Sequence, residues 1–291
     1  MGRLAYLANS LARTFDRKRA KCPNCGSATS DLVARKYLVT ALRRCRSCAL
    51  MFRTPTDPAN LNEAFYEESY SQGFTTDLPD DRALQRLVST NFASSEKDYS
   101  AYIAVLSSLG IGSGARLFDF GCSWGYGSYQ LAQAGLFVTA FEIAPTRSRY
   151  AREKLGVNVL DQIETAALDQ HRGQYDCFFS SHVIEHVPVP HEVFTLAQVL
   201  LREGGLFVSF TPNGSEASRR HNTTWSKAWG EVHPHFIDDI FLDTHFGASP
   251  RVFGSSPISR ARLPAAPESL RLDDLSRGEL FFAARKVGPA W

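Results

Sequence analysis

The stretch Leu117-Phe118-Asp119-Phe120-Gly121-Cys122-Ser123-Trp124-Gly125-Tyr126-Gly127 decides the fold. It reads as a buried strand that ends in an acid and runs into a glycine turn. Glu142 follows Asp119 by 23 residues, at the end of a second apolar strand, Leu136 to Phe141. This is the layout of a nucleoside-binding βαβ unit. Glycine gives the turn positive φ and lets backbone approach a ligand. The helix that the turn opens offers its first N–H groups and its dipole to an anion. Glu142 can accept two hydrogen bonds from a ribose. The glycines stand at 121, 125 and 127. They do not form the G-x-G-x-x-G pattern, which speaks against a nicotinamide-dependent oxidoreductase.

Outward from this unit, strands and helices alternate, which predicts an open parallel α/β sheet. Strands are expected at about 115–120, 136–141, 157–160, 175–180 and 206–210, with weaker ones near 251–254 and 279–285. Pro145 opens a helix and Gly156 closes it. Gly204-Gly205 reads as a turn into the fifth strand, residues 80–109 as helical, and 255–269 as a long loop. Ligands of such sheets bind at the carboxyl ends of the strands, where Asp119, Glu142, Asp161, Ser181 and Thr211 fall. Asp161 suits an adenine amino group, or equally a solvated loop.

The six cysteines divide into two groups. Cys22-x2-Cys25 and Cys45-x2-Cys48 have zinc-ribbon spacing, each pair setting two thiolates on one side of a metal. Four thiolates leave no position for water, so a structural Zn²⁺ is expected. Disulfides are the alternative, against which stand the lack of a secretion signal and the two further cysteines. Arg43, Arg44 and Arg46 can offset the charge of the thiolates. Cys122 and Cys177 read as small buried residues.

Charged residues make up 21% of the chain, and the formal net charge is +2. That balance is far from a dedicated nucleic-acid binder. No apolar run is long enough to span a membrane, and a cytoplasmic location is expected. Residues 1–20 combine Leu4, Tyr6, Leu7, Leu11 and Phe15 with five arginines and lysines, the pattern of a basic amphipathic helix. It packs on the fold, or it meets a membrane surface or a partner.

Two further segments carry acceptor chemistry. Ser180-Ser181-His182-Val183-Ile184-Glu185-His186-Val187 follows the fourth strand, and His182 lies nearest the strand end. Glu185 and His186 read equally as helix-start residues. Trp225 to Phe236 gathers two tryptophans, Glu231, His233 and His235. The aromatics suit a water-free wall, and a histidine there can take a proton near neutral pH. His233 is the first candidate, with Glu231 to orient it or hold an acceptor hydroxyl.

The Asp119–Gly127 stretch resembles motif I of class I S-adenosylmethionine (SAM) methyltransferases, and the 180–187 segment resembles their "LEHV" segment. The cysteine ribbon, the aromatic Phe65–Phe74 segment and the Trp-Gly-Glu-x-His region extend the resemblance. Together they are similar to bacterial methyltransferases with an N-terminal zinc domain, including sugar C-methyltransferases, although their further C-terminal domain is not expected here. The resemblance implies a Rossmann-like, seven-stranded class I methyltransferase sheet with a small N-terminal zinc ribbon. It implies a basic helix over 1–20, the ribbon over 21–52, an aromatic lid and helical linker over 53–109, and the catalytic domain over 110–291. It also implies SAM held by Asp119, Gly121, Cys122, Gly125, Gly127, Glu142, Asp161 and Ser181. Zinc would sit on Cys22, Cys25, Cys45 and Cys48, with Tyr70, His182, Glu231 and His233 serving the acceptor. The expected function is methyl transfer to oxygen or carbon of a small polar metabolite, a sugar or a sugar-bearing intermediate. An RNA methyltransferase that docks through its ribbon, and a SAM-binding protein without catalysis, are the alternatives.

Overall fold

The structure, a computed structural model, describes residues 3–58, 77–160, 162–163, 168–264, 269–289 and 291. Tyr70, the Phe65–Phe74 segment and Asp161 lie outside the described residues. The larger sheet is built from β4 (Arg116–Phe120), β5 (Phe137–Phe141), β6 (Val159–Leu160), β7 (Tyr175–Ser181), β8 (Leu201–Pro212), β10 (Arg251–Ser255), β11 (Leu270–Arg271) and β12 (Glu279–Arg285). Its order is β11-β10-β12-β8-β7-β4-β5-β6. Strands β4 to β8 run parallel, and β12 is antiparallel to both β8 and β10. The two-residue β11 adds an eighth strand to the expected seven, directly after the stretch read as loop.

Alternation along the strands makes two apolar faces. Leu117, Cys177, Phe179 and Val208 face α3 (Ser100–Ser108) through Val105 and Leu106. Phe118, Phe178 and Phe207, register partners on β4, β7 and β8, stack as a ladder on the other face. There they meet α6 (Pro190–Leu200) and α8 (Asp239–His245). Burial on both faces explains why these strands read as unbroken apolar runs.

Two local expectations change. Gly204-Gly205 does not precede β8 but lies within it, where the register with β7 slips between Tyr175 and Cys177. Gly204 has φ +76°, and a Cβ on Gly205 would stand 3.0 Å from the Tyr175 carbonyl. The glycines therefore make a bulge. The helical region 80–109 splits into α2 (Asp81–Ser89) and α3, and between them Asn91, Phe92 and Ser94 take positive φ and Phe92 is fully buried.

The cysteine ribbon is part of a second sheet, β1 (Ser30–Lys36), β2 (Thr40–Cys45), β3 (Met51–Thr54) and β9 (His235–Phe236), in that order. Its last strand comes from the Trp225–Phe236 segment. Trp229 is 2% exposed and packs with Leu42, Met51 and Phe236. The tryptophans thus join ribbon to catalytic domain; neither lines the large cavity described below. Cys22, Cys45, Leu50 and Phe52 belong to the same core as the Phe118–Phe207 ladder. Arg44 pairs with the fully buried Asp238, which also caps α8 through the Phe241 N–H. Arg46 pairs with Asp31, and Arg43 donates to Ser30. Two of the three arginines expected to offset the thiolates are thus matched by carboxylates.

Candidate active site

The glycine turn links β4 to α4 (Tyr126–Gln133). Gly121 and Gly125 have φ +83° and +88°, which only glycine takes at little cost. Ligand approach is not the whole reason for the glycines. A Cβ on Gly121 would stand 2.5 Å from Val183, on Gly125 2.7 Å from Ala151, and on Gly127 2.3 Å from the Tyr99 ring. The loop is packed from behind by the fold itself. Asp119 is buried, and the Ser128 hydroxyl donates to it at 2.5 Å, fastening β4 to α4. Burial raises its pKa to about 6, helped by the nearby Glu142 charge and opposed by the Ser128 bond. Cys122 packs with Ala140, Ala151, Val157 and Val159.

Glu142, at the end of β5, accepts from the Ser123 N–H at 2.9 Å and the Ala144 N–H at 2.9 Å. It ties the glycine loop to the next strand and retains lone pairs for a ligand. Burial raises its pKa, against those backbone bonds and the Arg147 charge. Ser123, at φ +53°, holds a buried hydroxyl without a hydrogen-bond partner among the described residues.

A cavity of about 930 Å³ opens here, near the top of the range for small-molecule sites. Gly121, Ser123, Glu142, Arg147 and Ser181 line it, and so do His182, Glu185, His186 and His233. Asp119, Cys122, Gly125 and Gly127 do not; they support the loop from beneath.

Three side chains converge where the turn after β7 meets the segment before β9. The ligand atoms of Glu185, His186 and His233 lie within 4.8 Å of one another. The His186 Nδ1–H donates to the Val232 carbonyl at 2.9 Å, and the His233 Nδ1–H to the Ala228 carbonyl at 3.0 Å. Both bonds fix the tautomer and leave Nε2 as the proton acceptor. Glu185 is 1% exposed. Its Oε2 accepts from the Thr211 hydroxyl at 3.1 Å, while its Oε1 takes no hydrogen bond among the described residues. His182 Nδ1 stands 3.6 Å and His186 Nε2 3.7 Å from that oxygen. Burial opposes charge on Glu185, but the surrounding histidines outweigh it and lower its pKa to about 2. Burial drives His186 down to about 4, so its imidazole is neutral at pH 7. Burial works against charge on His182 too, yet Glu185 and Glu279 raise it to about 10. Its Nε2 lies 2.7 Å from Glu279. The two carboxylates favour its protonated form, which suits a charge partner better than a base.

Glu231 is the expected residue that the structure removes from the site. It does not line the cavity; it lies toward Arg53 and Asp57, where burial raises its pKa. The carboxylate facing His233 is Glu185. His235 is also outside, its Nε2 donating to the Val187 carbonyl at 2.7 Å.

Residues 84–243 match the family model described as a methyltransferase domain. The chain belongs to that family. With the family comes the methyl donor, S-adenosylmethionine. Among curated relatives, this methyltransferase is similar to the ubiquinone biosynthesis O-methyltransferase of Xanthomonas axonopodis pv. citri, 33% identical over 112 residues, 36% of this chain and 46% of the relative. The enzyme of the same name from Bordetella avium is 34% identical over 111 residues, again 36% and 46%. The match thus spans about half the length of these relatives. A solved SAM-dependent methyltransferase from Archaeoglobus fulgidus superposes with a TM-score of 0.46 at 14% identity, covering 69% of this chain and 99% of that one.

The methyltransferase also carries a second gathering of ligand atoms. The sulfurs of Cys22, Cys25, Cys45 and Cys48 lie within 4.8 Å of one another. Cys22–Cys48 and Cys25–Cys45 are each 3.5 Å apart, too far for disulfides. Zinc–sulfur bonds of about 2.3 Å in a tetrahedron set sulfurs roughly 3.8 Å apart, so the donor set fits Zn²⁺.

Proposed function

We propose that this chain transfers the methyl group of SAM to a hydroxyl oxygen of a small polar acceptor. The observation that carries the reading is the single cavity that runs from the Glu142 loop to the Glu185–His186–His233 cluster. At one end, Gly121, Ser123 and Ser181 line the SAM site on the loop built from Asp119, Cys122, Gly125 and Gly127, and Glu142 takes the ribose hydroxyls. Asp161 is assigned to the adenine. At the other end, His233 or His186 takes the acceptor proton at Nε2, and the ionised Glu185 stabilises the imidazolium that forms. The sulfonium supplies the electrophile, so alignment and exclusion of water supply the rest. Tyr70 is assigned to a lid over the acceptor.

Oxygen is favoured over carbon because the neutral His186 imidazole and the free Nε2 positions of His186 and His233 suit a hydroxyl, and because the relatives are named O-methyltransferases. A sugar or sugar-bearing acceptor follows the zinc-domain resemblance, and the cysteine cluster is assigned to a structural Zn²⁺. The test is mass spectrometry after incubation with isotopically labelled SAM and a panel of nucleotide sugars, phenols and RNA. A gain of one labelled methyl on a hydroxyl of a small acceptor is expected. Methylation of RNA alone, or no turnover with SAM bound, overturns the reading.

A further inference from the structure

We propose that the N-terminal module docks on an anionic phospholipid bilayer, through the tip of the β1–β2 hairpin and the end of α1 (Arg3–Thr14). Charge is strongly polarised along the chain. Residues 1–57 hold twelve Lys or Arg against three Asp and no Glu, while the remaining residues hold 20 against 27. Four thiolates on one Zn²⁺ would return only two negative charges to the module. The small net charge that argued against a polyanionic partner is the sum of a basic N-terminal module and an acidic remainder.

The hairpin tip is apolar where folding favours the opposite. Tyr37-Leu38-Val39 joins β1 to β2. Tyr37 and Leu38 sit at φ +56° and +64°, a region that glycine and asparagine occupy at least cost. Leu38 is 90% exposed, so no packing compensates for its strained backbone. Across a cleft of about 350 Å³, Leu38 faces the end of α1, and Leu11 lines the same cleft. Leu11 is 52% exposed, and Phe15 just beyond is 83% exposed. The cleft wall carries Arg13, Arg19, Arg35 and Arg43 against Asp16. Arg13 is matched by Asp57, but exposed Arg17, Lys18 and Arg35 make no ion pair among the described residues.

Apolar tips ringed by cations match one surface chemistry: side chains seated at the acyl boundary, guanidinium groups at lipid phosphates. A nucleic acid would satisfy the arginines and leave Leu11, Phe15 and Leu38 in water. A second copy would set one basic module against another. No helix among the described residues is long and apolar enough to cross a membrane, so the contact is peripheral.

The test sediments the full chain with phosphatidylcholine vesicles, with and without phosphatidylglycerol, and does not use methyl transfer. Binding to the mixed vesicles is expected, at least about tenfold weaker on neutral ones and weakening with salt. Leu38→Gly removes the strain, so it should melt no lower than the parent yet partition about tenfold less. Equal binding to both vesicles, unchanged binding of Leu38→Gly, or a lower melting temperature for that variant overturns the proposal. So does failure to sediment with either vesicle, whether the chain instead binds RNA or self-associates through Leu38.

Discussion

Two clusters in this molecule each gather metal-type ligand atoms within 4.8 Å of one another, and they differ in almost everything else. The cysteine cluster draws all its atoms from 27 residues of one small module and shares a core with the catalytic sheet. The Glu185–His186–His233 cluster joins two segments 47 residues apart and opens into the large cavity. A closed set of four thiolates has no vacancy for chemistry. An open set of two imidazoles and one buried carboxylate has little to offer stability and much to offer proton transfer. Disturbing the first should change folding, and disturbing the second should change turnover.

The largest effect is expected at Cys45. Cys45→Ser removes one thiolate of the proposed zinc site and opens the shared core, so bound zinc should fall well below one per chain. The melting temperature should drop by about 10–20 °C. Metal analysis by mass spectrometry with circular-dichroism melting checks both. A metal-free variant as stable as the parent would break the comparison on its structural side.

Next comes Glu185→Gln, which keeps the shape and removes the charge. Turnover should fall about 100-fold or more, with SAM affinity by calorimetry within about threefold and melting within a few degrees. A large loss of stability with turnover intact would make the cluster structural after all.

What the sequence made legible follows from how local each feature is. Cys-x2-Cys knuckles, the glycine turn and an acid at the next strand end are each set by neighbours in the chain. Their placement could be read without the fold. The partner of His233 could not. Glu231 is two residues away in sequence, but the chain there runs into β9 and turns Glu231 toward Arg53. Glu185 arrives from the turn after β7, and only the sheet order brings the two together. The tryptophans misled for a similar reason. Large aromatics mark any buried junction, and here the junction is the β3–β9 pairing between ribbon and catalytic domain. Gly204-Gly205 carries a turn signal in sequence, and only the register with β7 shows that the strand runs through it.

A smaller effect separates the clusters by pH. His186 and the buried His235 are both held down to about 4 by burial, from an ordinary 6.5. The unfolded chain then binds more protons than the folded one between those values. Stability contributed by the neutral folded form is present above about 6.5 and lost as pH falls toward about 4, on the order of 3 kcal/mol per histidine. His182 has the opposite sign. Raised to about 10, it stabilises fully below 6.5, and that contribution is lost as pH rises toward 10. Denaturant melts across this range should show a broad maximum near neutrality, and the Glu185→Gln variant should lose part of the alkaline slope. An unchanged alkaline slope would mean that Glu279 alone holds the proton on His182.

The smallest expected effect is the most discriminating for the site. Glu231 and Glu185 are both acids near His233 in one sense, the first by sequence and the second in space. Glu231→Gln removes a carboxylate whose buried Oε1 has no hydrogen-bond partner among the described residues and which lies outside the cavity. Its turnover should stay within about twofold of the parent, and burying an amide in place of a poorly solvated carboxyl should not lower the melting temperature. The paired measurement, kcat for Glu231→Gln beside kcat for Glu185→Gln, asks whether proximity along the chain or across the cavity selects the residue that serves His233. If Glu231→Gln is the slower enzyme, the lid or acceptor must bring Glu231 into the cavity during the reaction. The division between a structural ribbon and a separate catalytic cluster would then fail at the segment that joins them.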